Sequence, residues 1–122
     1  MKKVSYLVIS LLVVSALFHS CSEEEDLDKS LIYGRWKPVT GTAMYYRYDS
    51  NGKGVTWNPA DDQRESEGQA FTWELVKSKL TQIHVMEIGG TGIPKIYTVT
   101  ELTSTSLKYK DLFSSYSFSK FQ

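Results

Sequence analysis

An all-β fold, a single small antiparallel up-and-down barrel of about eight strands, is what this sequence predicts for residues Leu31 to Gln122. Three observations predict it. No 3.6-residue period runs through the segment. Short alternating stretches rich in Tyr, Trp, Phe, Val, Ile and Thr recur roughly every ten residues. Gly, Asn, Ser and Asp, the residues that turns favour, separate those stretches. Closure into a barrel removes the unpaired edges on which chains aggregate. A two-sheet sandwich is the competing arrangement.

The strands read, in order, Ile32 to Val39, Ala43 to Asp49, Gly54 to Trp57, Ala70 to Val76, Lys79 to Glu87, Lys95 to Leu102, Ser106 to Asp111 and Ser115 to Phe121. The clearest turn is Asp49-Ser50-Asn51-Gly52-Lys53-Gly54, whose Asn-Gly supplies the positive φ of a tight hairpin. It is not a calcium loop: Lys53 stands where a ligand is needed, and the closing bidentate position falls on Ala60. In an up-and-down barrel alternate connections share an end. The tight turns at Asp49 to Gly54, Val76 to Lys79 and Leu102 to Ser106 therefore lie together. Thr40 to Thr42, the long Asn58 to Gln69 segment, Gly89-Gly90-Thr91-Gly92 and Leu112 to Ser115 form the opposite end, the mouth. Binding residues favour loops on a rigid scaffold, so a site is expected there.

Ahead of the domain, Lys2 and Lys3 precede fifteen largely apolar residues, Val4 to Phe18. A bilayer-spanning helix takes about 20 residues, so this run reads as a secretory signal peptide. The predicted organisation is residues 1–20 signal peptide, 21–30 an acidic tether headed by Cys21, and 31–122 the barrel. Leu17-Phe18-His19-Ser20 before Cys21 resembles the lipobox of bacterial lipoproteins, and the resemblance implies that Cys21 is lipidated and begins the mature chain. Ser22-Glu23-Glu24-Glu25-Asp26 resembles the export tag of surface lipoproteins in some Gram-negative bacteria, which implies an outer-membrane, surface-exposed location. A plain solvated linker after ordinary secretory cleavage fits the same residues. Nine residues of tether reach at most about 30 Å.

From Cys21 onward the chain holds 12 basic and 14 acidic residues, and from Leu31 onward 11 and 9. No strong basic field exists of the kind that drives nucleic-acid binding. Cys21 is the only cysteine, so disulfides cannot staple the domain. The expected cofactor list is empty apart from a covalent lipid on Cys21. No metal site is expected, since His84 is the one histidine left after processing. Nor is catalysis: His84 accompanies no nucleophile motif, and Asp61, Asp62, Glu65 and Glu67 in the long loop read as solvated charges rather than working carboxylates.

Gly34-Arg35-Trp36 matches the glycine, any residue, tryptophan signature that opens the first strand of lipocalins. Trp57-Asn58-Pro59-Ala60-Asp61-Asp62, Phe71-Thr72-Trp73-Glu74-Leu75, Pro94-Lys95-Ile96-Tyr97-Thr98-Val99 and Leu107-Lys108-Tyr109-Lys110-Asp111 resemble segments of short bacterial lipocalin-like lipoproteins. The resemblance implies a barrel floor in which Trp36, beside Gly34, packs beneath a basic residue of the last strand, here Lys120. Period-two reading turns Trp36, Met44, Tyr46, Tyr48, Phe71, Trp73, Leu75, Tyr97, Val99, Leu107, Tyr109, Tyr116 and Phe118 inward. Of these, Tyr46, Tyr48, Phe71, Trp73, Tyr97, Tyr109 and Tyr116 are the candidate ligand cup. An eight-stranded barrel is either filled by such side chains or holds one small ligand. Two functions follow as expectations: a membrane-anchored module for a small hydrophobic or aromatic ligand, or a filled barrel that presents the Asn58 to Gln69 loop to a surface protein partner. No long apolar helix or repeat suggests assembly, so a monomer is expected.

Overall fold

The structure, a computed structural model, describes residues 26–86, 90 and 92–122. The signal peptide, Cys21, the acidic run before Asp26, and Glu87, Ile88, Gly89 and Thr91 lie outside the described residues. Eight strands follow one another around a closed barrel: β1 Gly34–Thr40, β2 Tyr45–Tyr48, β3 Lys53–Trp57, β4 Gln69–Val76, β5 Lys79–His84, β6 Lys95–Leu102, β7 Ser106–Lys110 and β8 Ser115–Phe121. Every neighbouring pair is antiparallel, and β1 closes on β8 through Arg35↔Phe121, Trp36↔Lys120 and Lys37↔Ser119. The sandwich is thereby excluded.

Strand boundaries shift for local reasons. The first strand was expected from Ile32; instead Lys29–Ile32 forms a 3-10 turn, capped by the Asp28 carboxylate accepting from Ser30 N. Gly34, at φ 122°, then turns the chain into β1. Leu27 packs against the core, so packed structure starts ahead of Leu31. Ile32 is fully buried and plugs the end of the barrel. The second strand starts at Tyr45 rather than Ala43, because Thr42 Oγ1 takes Met44 N into a local turn. In the hairpin between β2 and β3, Gly52 alone carries the positive φ, at 80°, while Asn51 Oδ1 accepts from Lys53 N.

All thirteen side chains read as inward lie in the buried core or packed against it. The core also takes Ile32 and Leu80. Trp57 is buried on the other face: with Tyr45 and Phe121 it forms an aromatic group on the outer wall, ring centroids 5.7 and 5.5 Å apart from Tyr45.

The long connection between β3 and β4 corrects one expectation. It leaves from the mouth end, yet it does not stand over the mouth. Asn58 caps the 3-10 turn Pro59–Asp61, and a second turn, Glu65–Glu67, brings the chain back along the outer wall. There Glu65 Oε1 accepts from Arg35 Nε at 2.9 Å and from Arg47 Nη1 at 3.0 Å. Arg35 and Arg47 are direct cross-strand partners, a juxtaposition of like charges that destabilises a sheet unless an anion sits between them. Gly68 makes this close approach feasible: a Cβ there would lie 2.5 Å from Val55 Cγ1 and 2.6 Å from Thr56 O. Glu65 is therefore not one of a solvated set of acids. Its two guanidiniums hold its carboxyl below the ordinary carboxylate range.

Candidate functional site

The closed end is built first. Trp36 is fully buried and its indole Nε1 donates to Ile32 O at 2.8 Å. Lys120 Nζ stands 5.1 Å from the centroid of the Trp36 ring and donates to Leu31 O at 3.1 Å. The lysine stem passes over Gly34, where an added Cβ would meet Lys120 Cε at 3.0 Å. Gly34, Trp36 and Lys120 thus come together, and the 3-10 turn supplies both carbonyls that complete their hydrogen bonding. A cation over an indole contributes roughly 0.5–2 kcal/mol; burial of the ring contributes more.

Above this floor the seven cup residues divide into two layers that face each other across the barrel. The first is made by β2 and β4. Tyr48 lies edge-on to Trp73 and Phe71, each at 5.4 Å, and Trp73 Nε1 donates to Lys53 O. Tyr46 stacks on Tyr48 at 6.0 Å and meets Phe118 edge-on at 5.4 Å. The second layer is made by β6, β7 and β8: Tyr97 lies 4.5 Å from Tyr109 and 5.7 Å from Tyr116. Tyr48, Phe71 and Tyr109 are sealed in. Tyr97 and Tyr46 keep 8 % and 9 % of their surface, and Tyr116 and Met44 are half-buried.

A polar chain threads the aromatic interior, and the sequence reading did not place it. Gln82 Nε2 donates to Tyr48 Oη at 2.7 Å, Gln82 Oε1 lies 2.9 Å from His84 Nε2, and His84 Nδ1 lies 3.2 Å from Gln69 Oε1. Gln69 Nε2 then donates to Val85 O at the rim. The His84 ring also stacks on Phe71 at 5.1 Å. The signal was available: Leu80, Gln82 and His84 alternate along β5 and share the inward face. What the alternation lacks is the partner set, which comes from β2 and β4. Among the described residues, no buried side-chain nitrogen or oxygen lacks a hydrogen-bond partner.

The interior is electrically neutral. Burial pushes the Tyr48 and Tyr109 hydroxyls well above the ordinary phenol range, and each is raised further by the neighbouring tyrosines. Tyr97 and Tyr46 rise for the same first reason. Burial, and then the positive charge of Lys95, lowers His84 to about 4. At neutral pH the ring is uncharged and carries one N–H, so it donates to one glutamine Oε1 at a time and only one of the two contacts is then a hydrogen bond. Asp111, at the mouth, is held low by accepting from the backbone N–H groups of Phe113 and Ser114.

No protein-family model matches this chain, and no curated protein matches it. Two solved structures do match in shape. One is a lipocalin-like protein from Bacteroides uniformis, 13 % identical with a TM-score of 0.59, the match covering 75 % of this chain and 99 % of that one. The other is an uncharacterized protein from Bacteroides eggerthii, also 13 % identical with a TM-score of 0.59, covering 74 % of this chain and 99 % of the other. Identity this low establishes shared architecture and nothing finer. The closed eight-stranded antiparallel barrel of this chain is a lipocalin-like fold.

Proposed function

We propose that this chain is a lipocalin-like binding module that takes a small, uncharged, hydrophobic or aromatic ligand at the mouth of its barrel. In this reading Cys21 carries a lipid that anchors the domain to the surface of a Gram-negative outer membrane. One observation supports the binding reading above the others: the buried rings of Tyr46 and Tyr97, whose phenols burial keeps neutral, are joined by the half-buried Tyr116 and Met44. Tyr48, Phe71 and Tyr109 are sealed in, so in this reading the ligand rests on the rings instead of sinking to Trp36. The role is binding rather than turnover, since the interior offers a ligand rings, hydroxyls and one neutral imidazole.

Native mass spectrometry of the barrel domain against a library of neutral lipids and aromatic metabolites, with N-phenylnaphthylamine fluorescence in parallel, tests this. Binding is expected, weakened about tenfold in Tyr97→Ala, which removes an aromatic contact and its buried area. No bound mass and no fluorescence change across the library would sink the reading. The second reading, an interaction module with a filled barrel, would then stand; ring-on-ring packing of Tyr48, Phe71, Trp73 and Phe118 favours it. Under that reading the Asn58 to Gln69 segment acts from the outer wall.

A further inference from the structure

The large apolar side chains left in solvent are distributed unevenly. Of those described, only Val76 lies at the closed end; the others sit at or beside the mouth. The extreme cases are Leu112 and Phe113, 94 % and 91 % exposed, at the tip of the hairpin between β7 and β8. This tip is not loose. Asp111 N donates to Ser114 O, and Asp111 Oδ1 accepts from Phe113 N at 2.8 Å and Ser114 N at 2.7 Å. The turn is therefore stabilised by its backbone and by Asp111, while its two large side chains contribute nothing to the packing. Continuing the register of Thr98↔Lys110 sets Leu112 across from Ile96, itself 54 % exposed, and Ile93 lies just before β6.

We propose that this β6–β8 side of the mouth docks on an anionic lipid surface. Contiguous exposed apolar side chains mark an interaction site, and here the charge around them selects the partner. Lys110 precedes the apolar tip and Lys95 stands between Ile93 and Ile96 at the head of β6, both exposed. The local acid, Asp111, turns its carboxylate inward onto the turn amides and toward Tyr116 Oη. The exposed acids of the mouth end, Asp61, Asp62 and Glu67, stand on the opposite flank, in the connection that runs along the outer wall. The β6–β8 flank thus joins its apolar tip to lysines, whereas on the opposite flank the exposed Val85 and Met86 lie beside Glu67. Short apolar side chains at a tip enter the headgroup boundary, and lysines with aliphatic stems reach back to anionic headgroups. Strands of seven or eight residues span roughly 20 Å along a tilted barrel axis. A domain lying on this flank therefore brings its mouth and its amino-terminal end to the same surface.

The test uses the chain from Ser22 to Gln122, within which the closed barrel, its core and its plugging turn are complete. Co-sedimentation with vesicles of phosphatidylcholine, with and without phosphatidylglycerol, reads the affinity. Binding is expected to the mixed vesicles and to fall as salt rises. The double variant Leu112→Ser, Phe113→Ser is expected to bind at least about tenfold more weakly, with an unchanged thermal transition because neither side chain is packed. Lys95→Gln and Lys110→Gln should each reduce the preference for phosphatidylglycerol about fivefold. The proposal is overturned if neither vesicle binds, or if the serine variant binds as well as the parent. It is equally overturned if the tip governs only self-association or capture of a protein partner with no vesicle bound.

Discussion

The two ends of this barrel are made from the same kinds of residue and put them to opposite uses. At the closed end Ile32, Trp36 and Lys120 are drawn inward, the connections are tight, and the tryptophan and lysine donors find carbonyls in one 3-10 turn. At the mouth Leu112, Phe113 and Ile93 point outward, and the backbone around the tip is held by Asp111 without their help. The difference teaches where a small barrel separates the side chains that hold it closed from those it leaves in solvent. Free energy of folding concentrates where side chains close the sheet; adaptable surface is left where hydrogen bonds alone can hold the loops.

The sharpest way to break that contrast is Trp36→Ala. Removing a fully buried indole leaves a cavity, strands the Ile32 carbonyl and leaves Lys120 without its ring. A loss of about 3–5 kcal/mol is expected in urea unfolding; a loss below about 1 kcal/mol would mean that the floor does not carry the fold. Next in size is the pH dependence of the upper interior. His84 is lowered in the folded protein to about 4 from an ordinary 6.5, so the unfolded chain binds the extra proton between those values. Stability is complete above about pH 6.5, falls as pH drops through the window, and has lost roughly 3 kcal/mol near pH 4. Chemical denaturation across that range checks it, and His84→Phe should flatten the slope. Smallest is Glu65→Gln. Its carboxylate is partly exposed between Arg35 and Arg47, so the expected cost is about 0.5–1 kcal/mol, shrinking in high salt. Proteolysis within residues 58–68 should nonetheless quicken, because the segment loses its tie to the wall.

Much of this architecture was legible before any coordinates. The alternation of large apolar residues named the inward faces of six of the eight strands, β3 and β5 being left unassigned, because a side-chain period of two is a local property of an extended chain. Trp36, Tyr48, Phe71 and Leu107 could be assigned to the core on that ground alone. Trp57 could not be placed, since its burial on the outer wall depends on Tyr45 and Phe121 lying beside it, residues from strands far apart in sequence. Glu65 was misjudged for the same reason: an acidic loop looks solvated until Arg35 and Arg47 are known to sit opposite each other. The β5 residues Gln82 and His84 show their inward phase in the sequence, but their hydrogen-bond partners belong to β2 and β4.

The seven candidate cup residues illustrate the remaining gap. The sequence offered them as one set, and the barrel sorts them by burial, sealing in Tyr48, Phe71 and Tyr109 and leaving Tyr116 half-buried. Burial inside a barrel depends on the stagger between strands, and stagger is a relation between segments rather than a property of any one. By itself, then, the sequence determined the strands, most of their inward faces and the turn chemistry between them, because each of these is settled within a few neighbouring residues. Only the tertiary structure decided which rings seal the floor, which stay half-buried, and which wall the long connection lies against. Those outcomes depend on closure, the step that brings β8 to β1 and sets every distance across the interior.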